Sequence, residues 1–328
     1  MPEIVGVSQR VQVGIEVTPG VVTPANKRLA ALSIGPPSPK GDVKMHRALG
    51  YLYDTVATTG RQWTEAALAG TATYNELVYP LSSLVRTAAI TTPTGATLAR
   101  QWVFTPSPTG NDPVSTLTVE YGDDNRARSF GFGFVNALDL NLSRETVEIG
   151  GSMMGQKMAS GITMTPTPTQ LDLIPVQGDD VDVFMDALPA NIGTTKLLRV
   201  FETKLAIGDR ADVLWPLNSA LPSFAARVEK APKVELTGRI MADAVGDALN
   251  DSLNDNSTRY VRIKAIGPLI EGTIFHSLQL DFAGKLSAVP DLGINGEVLS
   301  YSFAFAAVAD ATLGYPFRLT LVNKLSAL

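Results

Sequence analysis

Short runs that alternate apolar and polar residues dominate the chain. Leu117, Val119 and Tyr121 form one such run, Phe130, Phe132 and Phe134 a second, Leu138, Leu140 and Leu142 a third, and Val147 with Ile149 a fourth. Period two with one apolar face predicts half-buried antiparallel strands. Turn chemistry lies between the runs, at Gly122-Asp123-Asp124-Asn125 and Ser143-Arg144-Glu145, so residues 115–154 read as a four-stranded meander. Farther on, Val261, Ile263 and Ala265 alternate with Tyr260, Arg262 and Lys264. Leu278, Leu280 and Phe282 follow, and a return strand over 297–305 carries Leu299, Tyr301, Phe303 and Phe305 on one face.

Helical periodicity occurs twice. Tyr74, Leu77, Val78, Leu81, Leu84, Val85 and Ala88 keep the i, i+3, i+4 rhythm, and Thr73 and Glu76 have capping-box spacing. Pro80 interrupts this stripe, so the helix is expected to kink or to begin near Tyr79. The second stripe is Ile240, Met241, Ala244, Val245, Ala248, Leu249 and Leu253, with Asp243, Asp247, Asn250 and Asp251 opposite. Both halves therefore read as strands, one helix, two strands and a long hairpin, which suggests an internal duplication. The expected divisions are an N-terminal arm over 1–27, a first β domain over 28–165 and a second over 166–328, with the TPTPTQ run as linker. Residues 185–235 have only a coarse strand reading and leave room for an extra decoration.

Composition narrows the chemistry. Among 328 residues, 28 glycines and 21 prolines imply frequent turns, and only 18% are charged. The absence of cysteine excludes disulfides, thiolate metal sites and cysteine nucleophiles. Two separated histidines, His46 and His276, exclude a histidine-rich metal site. No GxSxG, Walker, HExxH or helix-opening GxGxxG pattern is present. Asp179, Asp180, Asp182 and Asp186 lack EF-hand spacing and read as a solvated turn and strand. His276, without partners in view, reads as structural. A carboxylate pair of the glycosidase type meets only in a fold and has no positive sign here. The expectation is therefore no enzyme, no catalytic residue, no metal and no cofactor. The start of the chain lacks a signal pattern and no apolar run would span a bilayer, so a soluble protein made in a cytoplasm and not inserted in a membrane is expected. A net charge of −5 argues against a phosphate-gripping surface.

The opening Val7-Ser8-Gln9-Arg10-Val11-Gln12-Val13-Gly14-Ile15-Glu16-Val17-Thr18-Pro19-Gly20 resembles the N-terminal segment of major tail tube proteins of long, non-contractile-tailed bacteriophages. The stretch from Glu148 through Ile149, Gly150, Gly151, Ser152, Met153 and Met154 to Gly155 is similar to a later part of that family, and residues 74–81 are similar to its helix. The likeness covers the first half in residues and the second only in architecture. It implies a mainly β fold: two tandem antiparallel sandwich or partial-barrel units, each with a flanking helix, contributing strands to an intermolecular barrel.

The implied function is structural: rings stack into a hollow tail tube of a virion, assembled in the host cytoplasm, through which double-stranded DNA passes during ejection. With two units per chain, a trimeric ring of pseudo-sixfold symmetry is favoured over a hexameric one. The implied partners are further copies and the tape-measure, tail-initiator and tail-terminator proteins. Residues Asp139, Asn141, Thr146 and Glu148 on the first hairpin, and Gln279, Asp281, Ser300 and Ser302 on the second, would line the lumen, without Lys or Arg among them. Arg10, Val11, Val13 and Ile15 would form an arm that adds a strand to a neighbour. Stretches 34–42 and 104–113 read as long loops. The alternative is a β-sandwich binding or adhesin module, which would expose clustered aromatics, whereas Trp63, Trp102 and Trp215 are dispersed in sequence.

Overall fold

The alternating runs become strands throughout a computed structural model of the chain, which describes residues 8–244, 246, 247, 249, 255–288 and 291–328. The fold is mainly β. The first strands are β1 (Arg10–Ile15), β2 (Lys27–Arg28), β3 (Ser33–Ile34), β4 (Ser38–His46) and β5 (Val56–Thr71), followed by helix α1 (Val78–Leu84). Then come β6 (Ala89–Thr91), β7 (Arg100–Phe104), β8 (Leu117–Gly122), β9 (Ala127–Ser143), β10 (Val147–Gly155), β11 (Ala159–Ile162) and β12 (Thr169–Gln170). The later strands are β13 (Val181–Asp186), β14 (Lys196–Leu197), β15 (Val200–Gly208), β16 (Ala211–Leu214), β17 (Ala226–Glu229) and β18 (Lys233–Met241). The chain closes with β19 (Arg259–Glu271), β20 (Ile274–Leu286), β21 (Asp291–Asn295), β22 (Val298–Ala307) and β23 (Phe317–Asn323).

Three ladders share strands. One runs β4–β5–β10–β9–β15–β18–β22–β21, with every neighbour antiparallel. A second runs β14–β13–β19–β20–β23–β7–β6. A third runs β12–β2–β1–β8–β9–β11 and uses the N-terminal half of β9. Their apolar residues meet in one core cluster that includes Leu138, Leu140, Leu205, Leu236, Phe303, Trp102, Leu280 and Leu319. The ladders cross the expected division at residue 166: β9 pairs with β15, and β7 with β23.

Several expectations change. Residues 115–154 form three strands rather than four, because Phe130 through Leu142 lie on the single 17-residue β9. A register shift opposite Ser152 and Met153 lets it bend from one ladder into another. Helix α1 is short, and Pro80 falls in its first turn, where a missing N–H costs no hydrogen bond. Thr73 Oγ1 accepts from Glu76 N–H at 3.1 Å, one half of the expected capping box. The Glu76 carboxylate instead accepts from the backbone of Ala30, Ala31 and Leu32.

In the second stripe, Ile240 and Met241 belong to β18; Ala244, Gly246, Asp247 and Leu249 are helical, and Val245, Ala248 and Leu253 lie outside the described residues. The 34–42 loop is largely strand β4, because it pairs with β5 from Ser38 onward. Residues 209–232 are an excursion carrying the separate β16–β17 pair.

Candidate functional site

Strand alternation splits the eight-stranded ladder into two unlike faces. Leu68, Ile149, Leu138, Leu140, Leu142, Leu205, Ile207, Val234, Leu236, Phe303 and Phe305 are buried on one. The opposite face follows from the pairing lines: Thr71, Glu148, Asn141, Lys204, Thr237 and Ala304 lie level, as do Ser143, Glu202, Arg239, Ser302 and Asp291. It carries charged and small residues over most of its length, while at one end Met154, Phe134 and Trp63 pack against Trp215 and Phe224 of the 209–232 excursion.

Four cations of this face have a carboxylate beside them. The pairs are Lys40–Glu65 at 3.7 Å, Lys204–Asp139 at 3.0 Å, Lys233–Glu235 at 3.5 Å and Arg239–Glu202 at 3.7 Å. Exposed pairs of this kind contribute about 0–1 kcal/mol each to stability. Lys44, of the same parity as Lys40 on β4, is exposed and lies within salt-bridge distance of no carboxylate among the described residues. Glu148 and Asp291 lie within salt-bridge distance of no cation among the described residues. These cations come from strands to which the sequence pattern assigned no face.

The residues expected to line a channel divide between locations. Asp139, Asn141, Glu148 and Ser302 share the polar face, with Thr146 in the turn that joins β9 to β10. Ser300 has the same parity as Ser302 but is buried. Leu299, expected in the core, is exposed.

Gln279 and Asp281 lie on β20 in the other ladder, which corrects their assignment. Asp281 is wholly buried. It takes Arg262 Nε at 2.6 Å and Nη2 at 3.0 Å, with Arg318 at 3.5 Å and Gln279 Nε2 at 3.1 Å. The hydrogen bond from Arg262 to Asp281 holds the guanidinium above its ordinary pKa. A buried carboxylate needs such partners. Period two says which residues share a face but not which sheet the strand enters.

The expected arm is likewise occupied within its own chain. β1 lies between β2 and β8, Val11 and Val13 are buried, Ile15 packs against the core, and Arg10 is paired with Asp124. Its strand addition is therefore satisfied internally. Glu16, next along, accepts from Gly20 N–H (2.8 Å), Thr116 Oγ1 (2.8 Å), Thr118 Oγ1 (2.9 Å) and Phe132 N–H (2.8 Å). Glu16, Glu76 and Asp281 act as fasteners that sequence reading missed, because their partners are distant in the chain.

Trp63 and Trp215 are brought together, edge to face at 5.8 Å, and Trp215 packs on Phe224 at 5.9 Å. They are half-buried in a small cluster with Phe132 and Phe134 and do not present a flat aromatic platform. Among the described residues no group of three or more His, Asp or Glu side chains could hold a metal ion. Asp186 is used by Gly193, Thr194 and Thr195, Asp182 by Lys196 and Asp179 by Arg144. His276 is buried against Tyr74, with ring centroids 5.6 Å apart. No protein-family model and no curated protein matches this chain.

Proposed function

We propose that this chain is a tail tube subunit of a long, non-contractile-tailed bacteriophage, a structural protein that assembles into stacked rings around a DNA conduit. The observation that carries the reading is the eight-stranded antiparallel ladder with a buried apolar face, a polar face on which most cations sit beside carboxylates, and an open strand at each edge. Long open edges invite pairing with further chains, and closure into a barrel removes them. Four strands of the ladder precede residue 166 and four follow it, which fits two tandem units per chain. Three copies would give 24 strands and a backbone diameter on the order of 45 Å. A wall whose cations mostly sit beside carboxylates would hold few phosphates, since phosphate binding rests on Lys and Arg.

Electron microscopy of the purified protein at rising concentration tests the reading. Hollow tubes are expected, with threefold averages down the axis. Particles that stay monomeric under all assembly conditions would overturn it, and six chains per ring would remove the trimeric arrangement.

A further inference from the structure

The two open edges of the ladder are unlike. At one end β21 exposes Leu292 (54%) and Ile294 (70%), and neighbouring Leu299 on β22 is 54% exposed. Leu292 pairs with Tyr301 and Ile294 with Leu299, so all three lie on the same face as buried Phe303 and Phe305. Among the described residues they lack the cover that Phe303 and Phe305 have. At the other end, β3 and β4 line β5. Gly35 N–H donates to Ala67 O, so the odd-numbered residues of β5 turn their backbone groups toward this edge. Ser38 and Lys40, paired with Glu65 and Trp63, therefore point inward, and Pro39 between them faces outward. Pro36, Pro37 and Pro39 have no N–H, so this edge offers mainly carbonyl acceptors.

We propose that β21 of one copy pairs antiparallel with residues 33–40 of the next copy, forming the seam between subunits. The proposal rests on the tube reading and specifies its lateral contact. Four independent features support it.

The first is strand parity. Eight alternating strands leave β4 and β21 antiparallel to each other, so copies related by rotation meet in the sense already used throughout the ladder.

The second is the stagger. Ser38 is level with Phe134 through Glu65 and Met154, whereas Asp291 is level with Ser143 through Ser302, Arg239 and Glu202. The offset, 143 − 134, is nine residues of β9, about 30 Å at ~3.3 Å per residue. Eight strands ~4.8 Å apart and tilted by ~38° climb about 30 Å in a closed barrel. The sense agrees as well. Ser143 N–H donates to Thr146 O on the β10 side. For L residues seen from the apolar face with β9 rising, β10 then lies left and β15 right. Right-handed coiling raises each copy on the right along the strands, the direction in which β21 is displaced.

The third is donor and acceptor matching. Leu292 and Ile294 face outward and retain N–H groups, which the carbonyl of the exposed Pro39 can accept. Two proline edges facing each other would be short of donors, which selects a head-to-tail ring over a two-fold dimer. The fourth is charge: Asp291 would stand beside Ser38 and near Lys40 of the next copy on the polar face.

The chain has no cysteine, so disulfide trapping is clean. The double variants Ser38→Cys/Asp291→Cys, Lys40→Cys/Asp291→Cys and Ser38→Cys/Gly293→Cys sample neighbouring registers. Assembled under reduction and then oxidised, at least one should shift most of the monomer band into covalent multimers that end at a closed ring. Ser38→Cys alone should stay monomeric on denaturing gels. Reduced variants that form tubes but never cross-link would overturn the seam and leave the tube reading standing. Efficient cross-linking of Ser38→Cys alone would also overturn it, in favour of a two-fold contact. Failure of the cysteine-free protein to form tubes would overturn both.

Discussion

Single side chains decide how this β fold is fastened. Asp281 neutralises two arginines from neighbouring strands, so Asp281→Asn should lower stability by about 2–4 kcal/mol, less than for fully buried partners because both guanidiniums keep some solvent contact. Thermal unfolding against the unmodified protein checks this. His276 is held below its ordinary pKa, mainly by burial and secondarily by Lys324, with Asp172 opposing. The folded state therefore binds fewer protons than the unfolded state just below pH 6.5, and stability should fall as pH drops through that region. Urea unfolding at pH 5.5 and 7.5 should show the loss, and His276→Gln should flatten it. The alternation read from sequence placed Leu138, Leu140 and Phe282 inside. It could not show that Asp281 is buried with them, because its partners come from two other strands.

At the scale of elements, the hairpin β9–β10 is where sequence reading reached furthest. Asp139, Asn141 and Glu148 share a face as the period-two pattern demands, opposite Leu138, Leu140, Val147 and Ile149. What the pattern lacked was the bend. Gly151 has φ +154°, and a Cβ there would lie 2.2 Å from Ala137 O, across the pair that precedes the register shift. Gly151→Ala should therefore cost on the order of 2–3 kcal/mol through strain and a displaced strand. Chemical denaturation measures the cost, and hydrogen exchange along β10 locates it. The second helical stripe failed at its start for a related reason: Ile240 and Met241 suit either period, and pairing with β15 and β22 draws them into a strand.

On the scale of the whole molecule, excursion 209–232 clasps the first half of the chain. Gln62 N–H donates to Pro222 O at 3.0 Å, Ser223 Oγ to Gln62 O at 2.8 Å and Gln156 Nε2 to Phe224 O at 2.8 Å, while Phe224 fills the space between Phe132 and Phe134. Phe224→Ala should remove about 3–5 kcal/mol from this contact. The expected readout is protease cutting within 215–225 under conditions where the unmodified chain stays intact. Together with the β9–β15 and β7–β23 pairings, the clasp makes the two halves one mechanical body. A wall subunit under axial load would require that property.

The sequence by itself determined the mainly β character, the polarity of the β9–β10 hairpin and the short helix around Pro80. These follow from local period and proline geometry, which act within one element. Only the tertiary structure decided which strands share a sheet, that β20 leaves the polar face while β15 and β18 join it, and that β1 is internal. Strand order depends on contacts between residues from tens to more than two hundred positions apart, and two-residue periodicity is the same whichever neighbour a strand takes.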